Sequence, residues 1–121
     1  ALGIRNVYLG SYTRVDGTVV SGPSLSALVA EADADVDAEL TAKLNTTMIE
    51  MSEMKTAAEA GFAYDMMLER GNEAGEALIM GGVNGLVDQT KTIERIVSTL
   101  DLDGIEFEGS DSLDNPNAVF Q

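Results

Sequence analysis

Apolar side chains return four and three residues apart along two long stretches of this chain. In the first, Leu40, Leu44, Thr47, Met51, Met54 and Ala58 make a heptad seam; in the second, Ile79, Val83, Leu86, Thr90, Ile93, Val97 and Leu100 repeat it. A stripe of that period lies along one side of an α-helix, so the spacing predicts long helices over 34–60 and 72–101. Glu31, Asp33 and Asp35 suit the positive end of the first helix dipole, and Gly61 ends that helix. A short helical piece is expected over 62–70, and Arg70-Gly71-Asn72 then supplies a stop, a turn and a fresh N-cap. Two such seams joined by a short connection pack most simply as antiparallel neighbours.

The first thirty residues are patterned differently. Ile4, Val7 and Tyr8 stand at helical spacing, with Tyr12 one turn beyond Tyr8, so 1–12 reads as the end of a helix. The pattern breaks at Asp16-Gly17, runs extended through Thr18-Val19-Val20 and turns at Ser21-Gly22-Pro23, which makes 13–23 a loop. Ser24 then N-caps a short helix over 24–31. No capping residue precedes Ala1-Leu2, the mark of a fragment or processed product whose N-terminal portion lies elsewhere. The tail, 102–121, is acidic and turn-rich without helical period. Leu102, Ile105 and Phe107 are expected to pin it to the bundle, and Asp114–Gln121 to fray. The predicted fold is all-α: a helical bundle with two long antiparallel amphipathic helices, shorter helices and an irregular acidic tail.

Composition narrows the chemistry. The 121 residues amount to one domain, 1–121, with a modest core. There is no cysteine and no histidine, so this chain alone builds neither a disulfide framework, a Ser-His-Asp triad nor a His-Glu metal site. A net charge of -14 argues against nucleic acid and anionic lipid as partners, because both demand clustered Lys and Arg. No apolar run approaches the roughly 18–20 residues of a membrane span.

Several short motifs dissolve on inspection. Ser52-Glu53-Met54-Lys55 has the Ser-x-x-Lys spacing of serine acyl enzymes, but lacks their companion motifs and sits in mid-helix. Gly81-Gly82-Val83-Asn84-Gly85 follows no strand and precedes no Lys-Ser or Lys-Thr, so it is no phosphate loop. Glycines within a helix cost about 1 kcal/mol each, and close approach of a neighbouring helix is the expected compensation. Asp101-Leu102-Asp103-Gly104 opens like a calcium loop, but the glycine comes early and the bidentate glutamate is missing. Glu50 and Glu53 have a di-iron spacing without its histidine, and read as solvated. The methionines read as adaptable core. Thr47 and Thr90 put hydroxyls on apolar seams; each either bonds back to a carbonyl one turn earlier or faces the other across the helix pair.

Arg5, Tyr8, Tyr12, Arg14 and the Ser21–Ser24 turn remain. Tyrosines one turn apart, with an arginine three residues before the first, would line a polar cleft in which Arg5 clamps an anion or carboxylate. The structural alternative, favoured by residue chemistry alone, pairs Arg5 with an acid and packs the tyrosines beneath the loop.

The runs Arg5-Asn6…Tyr8-x-Gly10-x-Tyr12, Ser21-Gly22-Pro23-Ser24-Leu25 and Gln89-Thr90…Ile93-Glu94 resemble the C-terminal half of imelysin-family proteins, also called insulin-cleaving membrane protease-like or iron-regulated-protein-A-like. The resemblance spans nearly the whole chain. It implies one half of a two-bundle, all-helical protein of the bacterial periplasm or cell envelope. The family's Gly-x-His-x-x-Glu motif belongs to the N-terminal half and is absent here. The resemblance therefore implies a protein linked to iron or metal uptake, with this chain as one wall of an inter-bundle cleft. Arg5, Tyr8, Tyr12 and Ser24 are the candidate lining residues, and no catalytic or metal-ligating residue is assigned. The expected partner is an N-terminal imelysin-like half, from the same gene product or another chain, with a metal or small ligand between them. Cofactors are expected to be none in this chain, with iron or another divalent metal reserved for the complete protein. Two alternatives stand beside this: a metallopeptidase completed by the N-terminal half, and a helical interaction module without a site. Whether the complete protein is an enzyme is left open; this chain on its own is expected not to be catalytic.

Overall fold

The computed structural model describes residues 1–102. Five helices and one hairpin follow in order: α1 (Leu2–Leu9), β1 (Ser11–Thr13), β2 (Val19–Ser21), α2 (Leu25–Ala32), α3 (Ala34–Glu59), α4 (Tyr64–Met67) and α5 (Glu73–Thr99). The fold is a mostly-α helical bundle. The expectations that fall on residues 103–121, including the anchoring by Ile105 and Phe107, lie outside the described residues.

Local chemistry sets most of the boundaries. Ser24 Oγ accepts from the Ala27 N–H at 3.1 Å and starts α2. Asp33 Oδ1 accepts from the Asp35 and Val36 N–H groups at 3.0 and 3.2 Å and starts α3. Asn72 Oδ1 accepts from the Gly75 N–H at 3.1 Å and starts α5. Each cap satisfies donors that a helix end leaves orphaned.

The opening segment differs from its sequence expectation. The helix expected through Tyr12 stops at Leu9, where Gly10 adopts φ 60° and donates its N–H back to the carbonyls of Asn6 and Val7. A Cβ at Gly10 would come within 2.9–3.0 Å of Ser24 Cβ and the carbonyls of Gly22 and Pro23, so both the turn and the close approach call for glycine. Tyr12 thereby moves into a strand, opposite Val20 in an antiparallel pair. The expected loop over 13–23 is largely this hairpin. Asp16 Oδ1 accepts from the Thr18 N–H at 2.9 Å and Gly17 has φ 84°, which closes the turn.

The core lies where α3 and α5 run antiparallel under α1 and α2. Val36, Leu40 and Leu44 are buried with Tyr8, Val29 and Ile96. Burying a leucine of this kind stabilises by roughly 1.5–3 kcal/mol before entropy is charged against it. The α3 seam continues to Thr47, as its spacing predicts. On α5 the predicted seam holds at Ile79, but beyond it the buried row runs one position earlier than predicted, through Gly82, Gln89, Thr92 and Ile96. Val83, Leu86, Thr90, Ile93, Val97 and Leu100 are only half-buried. Glycine explains the rotation. A Cβ on Gly85 would meet Thr47 Cα at 3.2 Å, and one on Gly82 would meet the methyls of Met51 and Met54 at 3.2 and 3.3 Å. At this contact α5 offers its smallest residues to Thr47, Met51 and Met54 of α3. Thr47 and Thr90 both bond back, to Lys43 O at 3.0 Å and Leu86 O at 2.9 Å, and Thr47 faces Gly85 rather than Thr90.

A polar ladder runs beside this contact and holds its register. Glu39 accepts from Lys43 at 3.1 Å, from the Thr92 hydroxyl at 2.9 Å and from Arg95, while Lys43 also pairs with Asp88 at 3.4 Å. The Lys43, Thr92 and Arg95 donors hold the Glu39 carboxyl down at about 2, below its ordinary 4.5. Burial works against the Lys43 charge, but Glu39 and Asp88 outweigh it and raise its pKa. Because the native Glu39 carboxyl releases its proton more readily than the unfolded one, the unfolded chain binds more protons between these values. The stabilisation by Glu39 is thus complete above about 4.5 and lost as pH falls through about 2. Glu39→Gln is expected to lower the urea midpoint near neutral pH, and the gap from the parent chain to close at strongly acid pH. A gap that persists unchanged in acid would show that the carboxylate charge is not what matters.

Candidate functional site

The four residues singled out from sequence do not converge on one point. Arg5, half-buried on α1, crosses onto α3 and donates Nε–H to Asn45 Oδ1 at 3.0 Å. Its partner is therefore a neutral amide, and among the described residues Arg5 makes no salt bridge. Tyr8 is 4 % exposed and belongs to the core. Its hydroxyl donates to Asp37 Oδ1 at 2.8 Å, and the Ser26 hydroxyl donates to the same oxygen at 2.6 Å, so one carboxylate ties α1, α2 and α3 together. Burial, with the Asp37 hydrogen bond and charge behind it, pushes the Tyr8 phenol far above its ordinary pKa. Tyr8 is a neutral donor and no base. Tyr12 stands exposed on the hairpin, beside a shallow groove with Asn6, Gly10 and Val20. Ser24 is occupied as the cap of α2.

Arg5, like Tyr12, borders a groove. It stands at one end of a groove of about 760 Å³ along the outer face of α3. Met48, Ile49 and Ala57 supply its apolar lining, and Ser52, Glu53 and Thr56 its polar groups. Ile49, 59 % exposed, adds to the apolar surface of the groove. A guanidinium oriented through Nε keeps two terminal nitrogens in fork geometry, suited to a carboxylate or phosphate. Lys55, the lysine of the Ser-x-x-Lys run, pairs with Glu59 at 3.5 Å, well exposed. Glu50 packs against Gly81 while Glu53 lines the groove, so these carboxylates do not share a site.

Asn45, Asp37 and Ser26 went unnoticed in sequence. Asp37 sits in a run of acids that reads as a helix start, and Asn45 lies forty residues from Arg5, so no local pattern joins either to its partner. Among the described residues no group of three or more His, Cys, Asp or Glu side chains could hold a metal ion. The groove beside Arg5 holds a single carboxylate, Glu53, among amide and hydroxyl groups, a donor set that does not fit a metal.

This arrangement is a mostly-α helical bundle with a largely apolar groove bordered by Arg5 and Glu53. The imelysin family model matches residues 1–93, and the chain belongs to the imelysin family. No curated protein gives a match to it. Membership suggests an extracellular or envelope protein, and no helix among the described residues is long and apolar enough to cross a membrane.

Proposed function

We propose that this chain acts in the bacterial periplasm or cell envelope as one wall of a cleft in an imelysin-like protein that binds iron or another metal as cargo. The second wall is an N-terminal bundle carrying the Gly-x-His-x-x-Glu motif, and the metal-facing ligands come from there. The observation that carries this reading is Arg5, oriented by Asn45 at the end of an apolar groove with Ile49 exposed. An apolar groove with an oriented cation fits a partner helix whose carboxylate meets Arg5. The net charge of -14 would favour approach of a cation to the assembled cleft.

Calorimetric titration of ferrous and ferric iron into this chain, into the N-terminal bundle and into their mixture tests the reading. Stoichiometric binding is expected only in the mixture. Arg5→Glu is expected to weaken association of the two bundles by about tenfold or more, since hydrogen bonds to a charged group are each worth about 1.5–3 kcal/mol. Equally tight iron binding by this chain alone would overturn the proposal, as would association indifferent to Arg5→Glu. Hydrolysis of a peptide by the mixture would replace it with the peptidase reading.

A further inference from the structure

Arg5 also borders a second, smaller hollow. It measures about 270 Å³ and is lined by Leu2, Arg5, Asn6 and Leu9 of α1 and by Ser11 and Thr13 of β1. Two periods build it. The helical four stand at i, i+3, i+4 and i+7, which share one face of α1, and Ser11 and Thr13, two apart, share one face of β1. The left-handed turn at Gly10 joins the two faces. The polar groups are a guanidinium, a carboxamide and two hydroxyls, and no acidic residue lines the hollow. Arg5, Asn6 and Ser11 are half-buried, and Thr13 is exposed. Arg5 is tied at Nε to Asn45, whereas among the described residues no hydrogen bond engages the side chains of Asn6, Ser11 or Thr13. Of the 21 acids in the chain only Asp16 falls within residues 1–30, and the Thr18 N–H engages it at the hairpin turn. On a chain of net charge -14, an acid-free hollow beside an arginine is a place that an anion can enter.

We propose that this hollow is a binding site for a small aliphatic carboxylate. The carboxylate meets the Arg5 guanidinium and accepts from the Ser11 and Thr13 hydroxyls and the Asn6 amide, each charge-assisted. Its aliphatic part lies against Leu2 and Leu9. The volume sits just below the roughly 300–1,000 Å³ that holds drug-sized ligands, so the ligand has only a few carbons. An ammonium ligand would find no acid to pair with. Arg5 borders the α3 groove as well, but Asn6, Ser11 and Thr13 do not, so variants there test this site apart from the metal-binding reading.

Butyrate titrated into the full chain, followed by backbone amide NMR, tests the site. Saturable shifts centred on residues 2–13 are expected, with a Kd of roughly 1 mM, which a ligand of this size can reach. Butyramide, of the same shape without the charge, is expected to bind at least tenfold more weakly, and inorganic phosphate several-fold more weakly. Ser11→Ala with Thr13→Val is expected to weaken butyrate about tenfold with helical content unchanged. Leu2, 52 % exposed, gives a second variant that leaves the hydroxyls in place: Leu2→Gln is expected to reduce butyrate affinity to that of acetate. Butyramide binding as well as butyrate would overturn the proposal, and so would affinity indifferent to both variants or shifts centred outside residues 2–13. Phosphate binding as tightly as butyrate would overturn the assignment to an aliphatic ligand.

Discussion

Gly75→Ala is expected to destabilise this chain by about 2 kcal/mol or more, although alanine is the better helix former. Gly75 is buried in the first turn of α5, where an added Cβ would fall on the backbone of Met67 at its Cα and carbonyl oxygen. Backbone cannot swing aside as a side chain does, and Met67, 1 % exposed, is itself wedged in the core. The corner is further tied by Asn72, whose Nδ2 donates to Met66 O at 2.9 Å while its Oδ1 caps Gly75. Overpacking of this kind costs about 1–3 kcal/mol and sometimes more, and it opposes a helix-propensity gain of up to about 1 kcal/mol. Gly3→Ala is the matched control, because nothing lies within 4 Å of its Cβ position in α1. It is expected to be neutral or to stabilise by up to about 1 kcal/mol. Urea unfolding of both variants, with slopes equal to the parent, reads the two signs directly. A stabilised Gly75→Ala chain would mean that α4 does not seat against α5 as described.

The contrast between these glycines bears on what the amino-acid order reveals. Helix ends were legible because they are decided within four residues: Ser24, Asp33, Asn72 and Gly61 carry their own instructions as caps and stops. The α3 seam was legible because its large apolar residues are also its closest contacts. The α5 face was not. Hydropathy gives weight to Val83, Leu86 and Val97, whereas close helix packing rewards small residues, and Gly82 and Gly85 draw α3 to their side. Tyr12 misled for another reason: four residues after Tyr8 fits a helix, but Gly10 enters the left-handed region and turns the chain into a hairpin. Of the candidate site, Arg5 could be picked out by charge and spacing. Its orientation could not, since Asn45 meets it only through the crossing of α1 over α3.

Gln89 follows from the same rotation of α5, and replacing it is expected to stabilise the protein. Its side chain is 2 % exposed between α3 and α5, and among the described residues Oε1 has no hydrogen-bond partner. An orphaned buried acceptor costs about 1–3 kcal/mol. Gln89→Met keeps the length of the side chain, removes the orphan and adds apolar contact on a face already lined by Ile79 and Ile96. A gain of about 1–3 kcal/mol in urea unfolding is therefore expected. A residue that costs this much in the isolated bundle is a place to look for a role in the assembled protein. The informative measurement is Gln89→Met in both settings: greater stability of the isolated chain together with weaker association to the N-terminal bundle would tie the amide to the cleft. Greater stability with unchanged association would leave it a polar residue of the core, and a loss of stability would show that Oε1 is satisfied after all.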